Sequence, residues 1–116
     1  MRFYAEKVSV SEDGEYFHLS LEATNSLKEG IENNPFDSPY LILQRSFEMP
    51  GRGLCYVETH DFDYCGHFRL RLNEFSPSRL AFEIVRSEKK HVEVSLALSA
   101  PVFEEVRPIV NVIFGN

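Results

Sequence analysis

The sequence PVFEEVRPIVNVIFGN (residues 101–116) decides the class of fold. Its apolar residues recur every three to four positions, which predicts an amphipathic helix that packs on a sheet. Ser99 is placed to cap this helix, and Pro101 is tolerated in the first turn because no N–H is needed there. Pro108 removes a backbone hydrogen bond inside the pattern, so we expect the helix to kink or break at that residue. The predicted buried face consists of Val102, Val106, Ile109, Val110 and Ile113.

The segments before this helix alternate apolar and polar residues with a period of two, which predicts strands. Residues 2–10 and 16–23 are predicted to form one hairpin, because Asp13-Gly14 suits a tight turn. The longest irregular connection is predicted at residues 25–39, where prolines and a glycine exclude a long helix. We therefore predict the α+β class, with a mainly antiparallel sheet of about six to seven strands and one C-terminal helix packed on it.

Length and charge restrict the classes of partner. The 116 residues fit a single domain (residues 1–116) with an ordinary apolar core, since 43% of them are hydrophobic. A net charge of −6 disfavours nucleic acid and suits a basic protein partner. No apolar run approaches the roughly 18 residues that cross a bilayer, and the N-terminus lacks the apolar core of a signal peptide. We therefore expect a cytoplasmic protein that binds neither nucleic acid nor membrane.

The densest group of potential metal ligands lies in HDFDYCGH (residues 60–67). His60, Cys65 and His67 are of the types that bind zinc. Their spacing matches no common zinc pattern, since there is no CxxC pair, and we interpret the segment as a polar turn. A metal-binding or small-ligand-binding domain that uses these three residues is the alternative hypothesis.

No segment carries a catalytic signature. The glycine-rich PGRG (residues 50–53) lacks the Lys-Ser/Thr ending of a phosphate-binding loop. The two cysteines, Cys55 and Cys65, are expected to be free thiols in a reducing compartment, whereas a disulfide across their hairpin is the alternative that the sequence leaves open. We therefore expect a protein with no enzymatic activity and no cofactor.

Five stretches of sequence, which span roughly Pro39 to Gly115, are distinctive: SPYLILQRS, CYVETHDFDYCGHFRLRL, SPSRLAFEI, VEVSLAL and FEEVRPIVNVIFG. Together they resemble the immunity protein 10 family of bacterial polymorphic toxin systems. The resemblance implies a non-enzymatic protein that is made beside a toxin, binds it and neutralises it in the producing bacterium. It implies no catalytic residues and no cofactor.

We expect the toxin-binding surface to combine exposed acidic and aromatic residues, because aromatic anchors inside a charged rim are the usual anatomy of a tight interface. Self-association through an exposed strand edge, which would give a homodimer, is a further alternative. The first predicted group lies near the hairpin turn and comprises Glu58, Asp61, Phe62, Asp63 and Tyr64. The second lies in the long connection and comprises Glu32, Phe36 and Asp37.

Overall fold

The computed structural model describes residues 1–12, 16–23, 39–46, 54–86 and 90–114. These ranges hold eight β-strands and one α-helix. The strands are β1 (Arg2–Tyr4), β2 (Lys7–Glu12), β3 (Tyr16–Glu22), β4 (Tyr40–Ser46), β5 (Cys55–Thr59), β6 (Gly66–Ser76), β7 (Arg79–Val85) and β8 (Lys90–Ser95). A 3₁₀ turn (Phe62–Tyr64) joins β5 to β6, and the helix α1 (Ala100–Ile113) follows β8.

β1 and β2 follow each other in the sequence, but they lie at opposite ends of the strand order. The order is β1-β8-β7-β6-β5-β4-β3-β2, in which β1 pairs parallel with β8 and β2 pairs antiparallel with β3. Ala5 and Glu6 alone separate β1 from β2. The N–H of Ala5 donates to the carbonyl of Ser95 at 2.9 Å, and the N–H of Glu6 donates to the carbonyl of Glu22 at 2.8 Å. The N-terminal segment therefore changes partner between these two residues and closes the strand order on itself.

A second change of partner occurs within β6. Residues 66–68 pair with β5, whereas residues 69–76 pair with β7, and the register shifts between Leu72 and Glu74. The strands thus fall into two groups that share two segments of chain. We call them sheet I (β1, β8, β7 and the second part of β6) and sheet II (β2, β3, β4, β5 and the first part of β6). Corners of this kind, where a strand passes from one sheet to the other, are typical of two packed sheets.

The inward-facing residues of both sheets and of the helix form one hydrophobic cluster. Alternation along each strand directs apolar side chains to one side, as the period of two predicts. Sheet II contributes Leu19, Leu21, Leu41, Leu43 and Val57, sheet I contributes Leu80, Phe82, Ile84, Val92 and Val94, and α1 contributes Val106, Ile109, Val110 and Ile113.

The predicted α+β class, with a C-terminal helix packed on a sheet, is confirmed. The sheet is mixed and holds eight strands in the described residues, rather than the predicted six to seven. One more strand arises because the segment predicted as a single strand over residues 2–10 divides at Ala5. The sheet is mixed because β1 runs parallel to β8, and nothing in the period of two indicates strand direction. The predicted turn at Asp13-Gly14 and most of residues 25–39 lie outside the described residues, but the antiparallel pairing of β2 with β3 agrees with the predicted hairpin.

The helix packs against β2, β3 and β4. Four of the five predicted apolar positions are buried, whereas Val102 is 36% exposed. The helix is not broken at Pro108, one of the two outcomes predicted there, because α1 continues through this residue to Ile113; Pro108 lies on the exposed side, where solvent can hydrogen-bond the carbonyl that it leaves free. Ser99 occupies the N-cap position but its side chain makes no capping hydrogen bond. The predicted helix is therefore confirmed, with Ser99 at its N-cap position, whereas a break at Pro108 and a capping hydrogen bond from Ser99 are not found.

An ion-pair network crosses the outer face of sheet I and ties β1 to β8. Arg2 Nε lies 2.7 Å from Glu93 Oε1, and Arg79 bridges Glu93 to Glu74, whose Oε1 is 2.6 Å from Arg79 Nη1. The hydrogen bond from Arg79, supported by Arg2, lowers the pKa of the Glu93 carboxyl. The group is solvent-accessible, so screening by water and salt limits its contribution to stability.

Replacing Ala5 by proline is expected to lower the free energy of unfolding by at least about 1 kcal/mol, because it removes the N–H that pairs with Ser95 and places a proline inside a paired segment. Ala5→Gly is the matched control, since it keeps the N–H and removes only the methyl group. Urea unfolding of both variants measures the difference. Equal stabilities of the two variants would contradict a role for this hydrogen bond in closing the sheet.

The stability difference between the wild type and Glu93→Gln is expected to depend on pH. Because the folded-state pKa of Glu93 is lowered from its ordinary value of 4.5, the wild-type advantage is full above that pH and is lost as the pH falls through the lower value. Urea unfolding between pH 7 and about pH 3 measures it. Glu105→Gln, on the exposed side of α1, is the control of equal charge. A difference that grows on acidification would refute the assignment.

Candidate functional site

The 3₁₀ turn between β5 and β6 is held by hydrogen bonds of its own backbone. Asp61 caps it, and its Oδ1 accepts a hydrogen bond from the N–H of Asp63 at 3.0 Å. The N–H of Tyr64 donates to the carbonyl of Asp61 at 2.9 Å, and the N–H of Cys65 donates to that of Phe62 at 3.1 Å. Local side-chain bonding of this kind is what Asp supplies at the start of a turn.

Neighbouring elements fix the same turn from outside. The Thr59 hydroxyl, in a side chain that is 4% exposed, accepts from the N–H of Asp61 and donates to its carbonyl, both at 2.9 Å. Arg86, just past the end of β7, donates from Nη1 to the carbonyl of Asp63 at 3.1 Å. Its guanidinium also lies 5.4 Å from the ring centre of Phe68. The turn is therefore anchored to both sheets.

Phe62 is the most exposed large apolar side chain in the described residues, with 91% of its surface accessible. Asp61 and Asp63 on either side are also exposed. An anchored turn thus presents an aromatic ring between two carboxylates, as predicted for this group. Singly exposed apolar residues are common on protein surfaces, and Phe62 stands out among them by the extent of its exposure and by the hydrogen-bonded turn that holds it.

Tyr64 differs from the prediction that it is an exposed aromatic residue. It is partly buried and packs against the core cluster. Its hydroxyl accepts a hydrogen bond from the Met1 ammonium at 3.3 Å, and Lys90 Nζ lies 5.1 Å from its ring centre. Its ring therefore lies on the core side of the turn, because two residues of a 3₁₀ helix correspond to a rotation of about 240°, which directs Tyr64 away from Phe62.

Glu58 lies on the outer face of β5, and two tyrosines hold its carboxylate. The Tyr40 hydroxyl donates to Oε2 at 3.1 Å, and the Tyr56 hydroxyl donates to Oε1 at 3.0 Å. The pKa of Tyr56 is raised, chiefly by this hydrogen bond, and that of Tyr40 is raised by burial and then by the bond to Glu58. Both phenols therefore stay protonated and donate at neutral pH.

The register of sheet II aligns a row of polar side chains across five strands. Each residue of this row is the direct pairing partner of the next one on the neighbouring strand. The row consists of Ser11, His18, Gln44, Tyr56 and His67. Gln44 and His18 are hydrogen-bonded at 3.1 Å, and the rings of Tyr56 and His67 lie 5.2 Å apart. Sheet II thus presents a polar, aromatic face beside Glu58, in contrast to the ion pairs of sheet I.

The sequence prediction found Glu58 but missed Tyr40 and Tyr56, its two hydrogen-bond partners. A signal was present, because Tyr56, Glu58 and His60 share one face of a strand with a period of two. The contact with Tyr40 depends on the register between β4 and β5, which places Ile42 opposite Glu58 and Tyr40 diagonal to it. That register cannot be read from either strand alone.

The residues of the alternative metal site have other contacts. His60 Nδ1 lies 3.2 Å from the N–H nitrogen of Tyr40, His67 packs on Tyr56, and Cys65 Sγ lies 3.3 Å from the N–H nitrogen of Thr59. Within the described ranges no group of three or more His, Cys, Asp or Glu residues is arranged to hold a metal ion.

Both cysteines are free thiols. Cys55 is buried, and burial raises the pKa of its thiol to about 12, so it is protonated at neutral pH and unsuited to act as a nucleophile. The second predicted group, Glu32, Phe36 and Asp37, lies outside the described residues.

A cavity of about 290 Å³ lies beside the change of partner at Ala5 and the start of α1. Val8, Leu98 and Val102 line it together with Tyr4 and Glu6. It shares no residue with the 3₁₀ turn or with the outer face of sheet II, so it is separate from the predicted site.

Comparison of the chain with protein-family models, with curated proteins and with solved structures found no match. In the part of the chain that the structure describes, no helix is sufficiently long and apolar to span a membrane.

Replacing Gly66 by alanine is expected to destabilise the protein by about 1–3 kcal/mol, because its φ of +142° lies where side chains are strained. An added Cβ would also lie 3.0 Å from the ring of Phe68, which packs against the core cluster and lies beneath the guanidinium of Arg86. Urea unfolding tests the stability, and amide hydrogen exchange of residues 61–65 tests the turn. A fully stable variant with unchanged exchange would contradict the strain at this position.

Proposed function

We propose that this protein is a non-enzymatic immunity protein that binds and neutralises a cognate toxin in the cytoplasm of the bacterium that produces both. The sequence resemblance over residues 39–115 gives the class of partner. The observation that carries the proposal is Phe62, a ring that is 91% exposed on a turn whose backbone is internally hydrogen-bonded. Inhibition is stoichiometric and needs neither a cofactor nor a chemical step.

A rigid turn reduces the entropic cost of binding, because the contact residues are already in one conformation before the partner arrives. Burying a phenylalanine side chain contributes about 1.5–3 kcal/mol from the transfer of its apolar surface alone. Aromatic residues that fill a partner's pocket at the centre of an interface are frequent sites of dominant binding energy. Phe62 has the size, exposure and support that such an anchor requires.

Charge favours a basic toxin. Asp61, Asp63 and Glu58 lie near Phe62 along the chain, and the whole protein carries a net charge of −6. Opposite charges on two partners accelerate their encounter and are weakened by salt. The same acidity disfavours nucleic acid as the partner, which favours binding to the toxin protein itself.

The proposal is tested by co-expressing the protein with the toxin encoded by the adjacent upstream gene and by measuring growth and complex formation. The wild type is expected to restore growth. Phe62→Ala is expected to weaken the complex by about 30-fold or more, which corresponds to about 2 kcal/mol, without lowering the stability of the free protein. Val112→Ala, at a position on α1 that is 37% exposed, is the matched control and is expected to bind normally.

Equal killing with and without the wild-type protein would refute the immunity function. Normal neutralisation by Phe62→Ala would leave the function intact and would exclude the turn as the binding surface. Sedimentation of the protein alone measures whether it forms a homodimer, which is the alternative to binding a toxin.

A further inference from the structure

Glu58 has no basic partner in the described part of the chain. Its two carboxylate oxygens each accept one hydrogen bond from a phenol, those of Tyr40 and Tyr56. The carboxylates on the outer face of sheet I differ, since Glu93 and Glu74 are paired with arginines and Glu83 Oε2 lies 3.6 Å from His91 Nε2. Among the described residues, two phenols therefore hold the Glu58 carboxylate in place and no cation pairs with it.

Aromatic side chains surround this charge. Tyr56 precedes Glu58 by two residues on the same face of β5, and Tyr40 lies diagonally across on β4 beside Ile42, the direct neighbour of Glu58. The ring of His67 extends the aromatic surface from Tyr56 on the side of β6. The phenols and the carboxylate are only partly buried, so a ligand can reach them.

We propose that Glu58, Tyr40 and Tyr56 form a subsite for a guanidinium group, which receives an arginine side chain of the partner. This inference rests on the proposed function for the source of the arginine, but the chemistry of the subsite is independent of it. An ionised carboxylate has about four acceptor positions, and the two phenols occupy two of them. The remaining positions match the two parallel N–H groups of a guanidinium.

Arginine fits this surface better than lysine for two reasons. The guanidinium is planar and stacks on aromatic rings, whereas an ammonium is a compact and strongly hydrated point charge. The parallel N–H donors of a guanidinium also require a defined carboxylate orientation, and two phenols fix it: Tyr56 from the same strand, β5, and Tyr40 from the neighbouring strand β4. The rigid carboxylate therefore loses little side-chain entropy when the arginine arrives.

The subsite is tested with N-acetyl-arginine amide as the probe, by following the amide signals of the full-length protein in NMR titrations. We expect saturable shifts that include Tyr56 and Glu58, with affinity falling in the order arginine, lysine and citrulline derivatives. The lysine derivative controls for charge and the citrulline derivative for shape. Glu58→Gln is expected to weaken arginine binding at least about tenfold, to the level of citrulline. Glu105→Gln, with the same change in net charge, is expected to bind like the wild type.

Equal shifts with arginine and lysine would overturn the preference for a guanidinium, and equal arginine binding by Glu58→Gln and the wild type would overturn the site. The outcome is distinguishable from that of the proposed function. A protein that neutralises the toxin but binds no arginine keeps the function and loses the subsite. A protein that binds arginine through Glu58 but does not neutralise the toxin keeps the subsite and loses the function.

Discussion

The closure of the sheet by the N-terminal segment is the constraint on which the remaining structure depends. β1 and β2 are separated by two residues, yet they pair with strands from opposite ends of the strand order. Both sheets are therefore tied together at Ala5 and Glu6, as they are within β6. Each sheet alone would expose its inward face, and the two shared segments hold these faces together around one core. The small side chain of Ala5, which is 3% exposed, suits a corner where two sheets meet.

The turn that carries Phe62 lies next to the second corner, which is the change of pairing partner within β6. At Phe68 the chain leaves β5 and begins to pair with β7, and the turn that carries Phe62 lies directly before this point. Arg86 extends from the end of β7 to the backbone of the turn and also contacts the ring of Phe68. The rigidity of the turn is thus a product of both sheets. On the other side of the corner, the polar face of sheet II supplies Glu58 and its tyrosines.

The sequence predicted those elements that short-range patterns of apolar and polar residues determine. The helix after Ser99 and most of the strands follow from periodicity, and the exposure of Phe62 follows from its place in a polar turn. Features that need long-range pairing were not predictable. The alternation over residues 2–10 does not reveal that the segment changes partner at Ala5, because both halves remain extended. The burial of Tyr64 depends on the residues that pack around it, and the contact between Glu58 and Tyr40 depends on register.

The parallel pairing of β1 with β8 joins residues that are far apart in the sequence, with Arg2 opposite Glu93. During synthesis the ribosome releases β1 first, and β1 must wait without its partner until β8 has left the exit tunnel. Contacts between such distant segments form slowly, because closing the large loop between them costs entropy before the contacts contribute any stabilising free energy. The sheet therefore becomes complete only after β8 has been synthesised. Until β8 is available, β1 lacks the strand with which it pairs, and its backbone hydrogen-bonding groups are open to pairing with other chains.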